Sequence, residues 1–404
     1  MRKAPANRPT SIAVDRSGVV EIIREYEVIT PLLGGGVDAG VNDSYRLIRE
    51  DAINGCLRFW WRACKGGSSV RDMHERECRI WGGPGHGNAK AISGKISYEV
   101  QVTNPGTVLR KRTDNNFPDV PPFAAFALAD KPDAKLQKDI RFKLRLRFPK
   151  ANGLEPDIEA ALWAWETFGG IGARTRRGFG AIHAAGEKPK VAAFDQWLAE
   201  NLTRHVTSSV WPSDVPHLAM SGKYKHRRAA SVPEAWSSII DTLKAFRQAR
   251  QDFHRSYWPE PDEVRRMTGA VKGHTPTHPV HAFPRAQLGL PIIFDFLKRP
   301  DEPQKTTLTS EGFERLASPL ILRPFQCADG VIGLAAGLIG SEYIRNDLVL
   351  SYTGGAEVKT GLRLRSEISD TEAAATTTSP IVVGGVPYTD LVDAFLARFQ
   401  KEVR

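Results

Sequence analysis

The sequence predicts an α+β protein made of two tandem ferredoxin-like domains, each on the βαββαβ plan of RNA recognition motifs and each with loop insertions. Three observations point there. A chain of 404 residues exceeds one ordinary core. In its first half, extended or alternating segments and helical periodicities follow the order β-α-β-β-α-β. Nine Trp and eighteen Phe supply aromatic volume for two cores.

Residues 19–33 are β-branched and extended, and stop at Gly34-Gly35-Gly36. Gly34 to Ala39 fits the dinucleotide pattern G-x-G-x-x-A but opens no apolar helix, so it is set aside. Over 51–65, Ile53, Leu57, Trp60 or Trp61, and Cys64 recur at helical spacing, and a glycine-rich loop follows around 81–85. Residues 95–103 alternate as a strand, 104–130 form a proline-rich insertion, and 140–148 alternate again. The second helix spans 156–168, with Ile158, Ala161, Leu162 and Trp165 on one face. A short strand at 179–183 closes a first domain assigned to 18–190. A helical linker over 191–202 leads to a second domain, 205–404. There, 233–255 reads as a helix bearing Trp236, Ile239, Ile240, Leu243 and Phe246. Strands are expected at 290–297 and 316–326, a closing helix at 389–402, and loops at 259–288 and 353–380.

Lys plus Arg total 56 against 46 Asp plus Glu, a net charge of +10 that favours a polyanionic partner. No apolar run approaches the ~18 residues of a membrane span. The first sixteen residues are basic and proline-bearing without an apolar stretch, so a cytoplasmic protein without a secretory signal is expected. Cys56, Cys64, Cys78 and Cys327 form no C-x-x-C pair and have no His at finger spacing. No structural zinc, disulfide framework or other cofactor is expected.

Three features suggest RNA contact. In the loop from Gly169 to Gly180, Gly170, Gly172 and Gly178 allow close backbone approach, while Arg174, Thr175, Arg176 and Arg177 offer donors to phosphate. It follows a helix and leads into a strand, the reverse of a dinucleotide motif, and no Gly-Lys-Ser/Thr follows. Three crowded arginines repel one another unless an anion neutralises them. On the first helix, Arg58, Arg62 and Lys65 form a basic stripe, and Trp61 beside it is a candidate for stacking on an unpaired base. In the strand at 141–148, Arg141, Lys143, Arg145 and Arg147 line one face and Phe142, Leu144, Leu146 and Phe148 the other. His274, His278 and His281, with Lys272 and Arg285, suggest a second RNA-facing patch rather than a metal site. No catalytic constellation stands out, and His183 reads as structural.

Several strings resemble the RAMP superfamily of CRISPR systems, and more narrowly the Cmr-one family of the type III-B effector, the Cmr complex. They are Ile29-Thr30-Pro31-Leu32, the helix from Ile53 through Leu57-Arg58-Phe59-Trp60-Trp61-Arg62, and the loop Gly169 to Gly180. Later come Arg255-Ser256-Tyr257-Trp258-Pro259-Glu260, Leu288 to Phe294, and Ala317-Ser318-Pro319-Leu320-Ile321-Leu322. The resemblance implies a non-catalytic head subunit that contacts the guide RNA 3′ region and target RNA in antiviral defence. Its implied partners are the repeated backbone subunit, which does the cleaving, and a second head RAMP subunit. Asn54 stands where the family usually has a basic residue. The alternatives are a RAMP endoribonuclease that processes CRISPR RNA, and a protein-only scaffold of the complex head.

Overall fold

The computed structural model of the protein describes residues 17–35, 42–43, 45–84, 90–111, 117–128, 131, 134–250, 256–272, 274–297, 300–340, 348–358, 364–376 and 379–401. Most of the glycine motif at 34–39, parts of the 104–130 insertion and residue 402 lie outside them.

The first unit begins with β1 (Val19–Val28), whose Ile22, Tyr26 and Val28 point into the core. Helix α1 (Glu50–Lys65) carries acids in its first turn and Arg62 and Lys65 in its last, the polarity its dipole favours. Helix α2 (Val70–Trp81) is absent from the sequence-based reading, because its charged residues mask the inward stripe of Met73, Cys78, Ile80 and Trp81. The Ser69 hydroxyl caps it by accepting the Asp72 N–H at 3.1 Å. There follow β2 (Ser97–Asn104), β3 (Thr107–Arg110), β4 (Lys135–Lys138), β5 (Arg141–Pro149), α3 (Glu155–Phe168), β6 (Ile182–Ala184) and α4 (Phe194–His205). The antiparallel sheet runs β2-β5-β1-β6, the order a βαββαβ unit requires. Tyr26 and Phe142 from the sheet, Trp61 from α1 and Trp165 from α3 share its core. Helix α2 and the β3–β4 ribbon are insertions into that plan.

The second unit departs from expectation. Its elements are β7 (Tyr224–Ala229), α5 (Val232–Gln248), α6 (Glu260–Thr268), β8 (Ile292–Phe294), β9 (Thr306–Ser310), β10 (Leu320–Cys327), β11 (Gly330–Gly337), β12 (Leu348–Tyr352), α7 (Asp370–Ala374) and α8 (Leu391–Lys401). Among the described residues its main sheet has three strands, β10-β11-β7, and no fourth closes it. The strand expected at 290–297 shrinks to β8 and joins a separate sheet, β12-β9-β8, with its own small core around Phe283, Phe294 and Leu308. Helices α6 and α7 occupy stretches expected to be loops. Among the described residues no helix is long and apolar enough to cross a membrane.

Strand β10 is buried along nearly its whole length because both of its faces are covered. Ile321 and Phe325 join the core of the first unit, while Leu320 and Leu322 pack with Trp236 of α5 and Phe395 of α8. Each of the two larger apolar cores therefore contains residues from both units. Between Ile321 and Phe325 sits Arg323, 1% exposed. Its guanidinium donates to the carbonyls of Glu166 (3.0 Å), Gly169 (2.5 Å) and Ile182 (2.5 Å), which belong to the end of α3, its C-cap and β6. Helix carbonyls that would otherwise lack partners are thus satisfied by a cation from the other unit. Burial pushes the Arg323 pKa down to about 9, so it stays charged at neutral pH. Arg323→Met leaves three buried carbonyls without their donors. Denaturant unfolding should show a loss of about 3 kcal/mol or more, partly restored in Arg323→Lys. A loss below about 0.5 kcal/mol, the size of a surface substitution, contradicts this role.

Candidate nucleic-acid interface

The loop from Gly169 to Gly180 lies in the seam between the units. Thr30 organises it: its hydroxyl donates to the Gly178 carbonyl at 2.6 Å and accepts the Ala181 N–H at 2.8 Å. The Ala173 N–H donates to the Leu33 carbonyl at 2.6 Å, and the Trp236 indole N–H to the Arg177 carbonyl at 2.7 Å. Gly178 has φ +85°, and a Cβ there would lie 2.3 Å from the Trp236 ring nitrogen. A Cβ on Gly172 would lie 2.5 Å from Leu32, and one on Gly170 2.6 Å from the Gly180 carbonyl oxygen. The glycines do permit close approach, as the sequence implies. What approaches in the structure is the protein itself.

The arginines divide their work. Arg174 donates from Nε to the Ala124 carbonyl at 3.0 Å, and Arg176 donates to the Ser318 carbonyl and stacks over Phe59 at 5.4 Å. Among the described residues, Arg177 reaches only the neighbouring Arg176 carbonyl, at 3.4 Å. Thr175 is half-buried in the same turn, and its carbonyl accepts the Gly178 N–H. Burial, then Arg247, Arg174 and Arg176, lowers the Arg177 pKa to about 9. Burial and then Arg285 lower Arg247 to about 10, with Glu260 opposing, and burial and Arg315 lower Arg174. Among the described residues, none of Arg174, Arg177, Arg247 and Arg315 has a carboxylate within the 4.0 Å ion-pair distance. The seam therefore sets Arg174 near Arg315, and Arg177 near Arg174 and Arg247, with no carboxylate of the described residues in ion-pair contact.

The remaining candidates are placed differently. Trp61 is fully buried and its indole N–H donates to Asp157 at 2.7 Å, so it cannot stack on a base. Arg58 and Arg62 both turn onto Glu77 of α2, at 2.5 and 2.6 Å. Their stripe is an internal tie between α1 and α2, and Glu77, 4% exposed at its side chain, is the hidden partner. Lys65, half-buried at the far end of α1, makes no ion pair among the described residues. Asn54 accepts a hydrogen bond from the Tyr98 hydroxyl at 3.2 Å.

On β5, Arg141 pairs with Glu27 (3.8 Å), Lys143 with Glu25 (2.8 Å), Arg145 with Glu99 (3.1 Å) and Arg147 with Glu21 (2.6 Å). The single-sign strand is one row of a mixed-charge lattice whose acids come from β1 and β2. Each cation of the expected track thus has an acidic neighbour, which lies more than forty residues away in sequence. Likewise, His278 and His274 contact buried Asp262 at 2.7 and 3.3 Å, His281 contacts Glu263 at 3.2 Å, and Arg285 contacts Glu260 at 3.1 Å. These contacts brace α6, while His281 and Lys272 stay exposed. Burial, Lys188 and Arg323 lower the His183 pKa. Among the described residues no group of three His, Cys, Asp or Glu could hold a metal ion.

Sequence reasoning missed the β3–β4 ribbon, which docks through Leu32 and Gln137 beside the glycine loop. It pairs exposed Arg110 directly with exposed Lys135, a like-charge pair that is unfavourable without an anion nearby. Tyr45, 97% exposed, precedes α1.

Over residues 25–183, the sequence matches the family model of the RAMP superfamily. That match runs from within β1 to β6 and includes the glycine loop. The fold of the chain is similar to that of Cmr1 from Pyrococcus furiosus, in a crystal structure of its apo form. That likeness has 16% identity and a TM-score of 0.45, and covers 80% of this chain and 88% of the other. A chain in the type III-B Cmr-beta structure bound to cognate target RNA is similar at 13% identity and a TM-score of 0.43, over 80% and 95% of the two chains. Cmr6 from Pyrococcus furiosus is similar at 15% identity and a TM-score of 0.21, over 41% and 99%. No curated protein matches the sequence.

Because Trp61 is core, Trp61→Phe should lower unfolding stability by about 1–3 kcal/mol and leave RNA affinity within twofold under folding conditions. A tenfold loss of affinity with unchanged stability contradicts the assignment.

Proposed function

We propose that the protein is a non-catalytic, RNA-binding head subunit of a type III-B CRISPR ribonucleoprotein, which contacts the guide RNA 3′ region and target RNA in antiviral defence. It works in the cytoplasm beside the repeated backbone subunit and a second head RAMP subunit. Its two units act as tandem ferredoxin-like modules over 18–190 and 205–404, the second with a shortened sheet. The RAMP match over β1 to β6 supports the class. RNA binding rests on the seam, where Arg174, Arg177, Arg247 and Arg315 converge without a carboxylate in ion-pair contact.

A phosphate backbone laid along this seam would relieve the repulsion and supply acceptors for donors that the protein leaves unused. The ribbon cations Arg110 and Lys135 would extend the same track past Leu32. A scaffold interface of the ordinary kind excludes charge from its centre, which favours RNA over protein as the seam's occupant.

The test separates binding from folding. Arg177→Gln with Arg315→Gln removes two cations that each act on or with Arg174, so stability should hold or rise while affinity for single-stranded RNA falls by about tenfold or more. Filter binding and thermal unfolding on the same samples read both. Unchanged affinity in the stable double variant overturns the seam as the RNA site.

A further inference from the structure

We propose a second ligand site, for a nucleoside monophosphate group, in the second unit and independent of the RNA reading above. A cavity of about 450 Å³ opens there between the C-terminal end of α5, the segment at 379–382, and α8. That volume falls in the range of small-ligand pockets, about 300–1,000 Å³.

Its walls have a consistent chemistry. Phe246, Pro380 and Val382 supply an apolar side, Tyr257 an aromatic ring with a hydroxyl, and Arg250 and Arg398 two guanidinium groups. No Asp or Glu is among the described residues that line it. The described lining thus offers cations that favour an anion, and forked guanidinium donors match phosphate oxygens. The apolar and aromatic wall suits a flat base attached to that phosphate.

One residue carries the argument beyond shape and charge. Ser379 is 3% exposed, lines the cavity, and its hydroxyl has no hydrogen-bond partner. Buried hydroxyls are nearly always paired, so an unpaired one facing a cavity marks where a ligand's polar atom belongs. A sugar hydroxyl or a base nitrogen would meet that need. The group could reach the site as a free mononucleotide or as the terminal nucleotide of an RNA strand.

Calorimetric titration of the full chain tests this with AMP, GMP, CMP, UMP, inorganic phosphate, and a six-nucleotide RNA with and without a terminal phosphate. At least one monophosphate, or the phosphorylated oligonucleotide, should bind saturably and more tightly than inorganic phosphate. Saturation by free monophosphates identifies the mononucleotide source; saturation by the phosphorylated oligonucleotide alone identifies a strand end. Arg250→Gln, at an exposed position, should weaken that binding about tenfold by removing a charge-assisted contact. Ser379→Ala should also weaken it, while raising the melting temperature of the unliganded protein by removing an unpaired hydroxyl. The two opposite signs distinguish a ligand-facing serine from a structural one. Absence of saturable binding, binding no tighter than phosphate, or affinity unchanged in both variants overturns the site. Because Arg250 and Ser379 lie outside the seam, failure here leaves the Arg177 and Arg315 test unaffected.

Discussion

The architecture depends on one buried cation. Arg323 leaves the central sheet of the second unit and enters the first, where it holds the carbonyls at the end of α3 and on β6. The glycine loop must begin at this point, since Gly169 is both the α3 C-cap and an Arg323 acceptor. With α3 and β6 fixed, the loop between them closes at Gly178 against Trp236 of the second unit, and at Gly170 and Gly172 against Gly180 and Leu32 of the first. The same narrowing brings Arg174 and Arg177 toward Arg247 and Arg315. Interdomain packing and the clustering of like charge are thus two results of one geometry.

This arrangement changes what the glycine-arginine loop means. A basic, glycine-rich turn ordinarily suggests a mobile strap that folds around an anion. Here the loop is already ordered by Thr30, Leu33 and Trp236, so an arriving phosphate would find donors held in place. Preorganisation of that kind lowers the entropic cost of binding. It also means that Arg174 and Arg176 have structural duties, at Ala124 and Ser318, which their removal would disturb together with any RNA contact.

Much of the first unit was legible in the sequence, because its strands alternate and α1 and α3 carry clear apolar faces. Helix α2 was not, since seven of its twelve residues are charged or His and its buried Glu77 has no sequence mark. Strand β7, with the sequence Tyr-Lys-His-Arg-Arg-Ala, lacks any apolar alternation and is placed by its partner β11. The site was half legible. Residue types showed where cations gather, but pairing is a property of the fold. Glu21, Glu25, Glu27 and Glu99 cancel β5, and Glu77 cancels the α1 stripe, through contacts that periodicity cannot reveal. Conversely, Arg247 and Arg315 join the loop from distant positions, and only the folded seam brings them there.

The central claim is that RNA lies along the seam and the adjoining ribbon, and not on the β5 face or against Trp61. Photo-crosslinking of single-stranded RNA to the intact chain, followed by mass spectrometry of the crosslinked peptides, addresses it directly. The account predicts crosslinks on peptides containing residues 107–110, 135–138, 172–177, 247 and 315. Crosslinks concentrated on the strand at 141–149 or on the α1 peptide around Trp61, with the seam peptides unmodified, would contradict it.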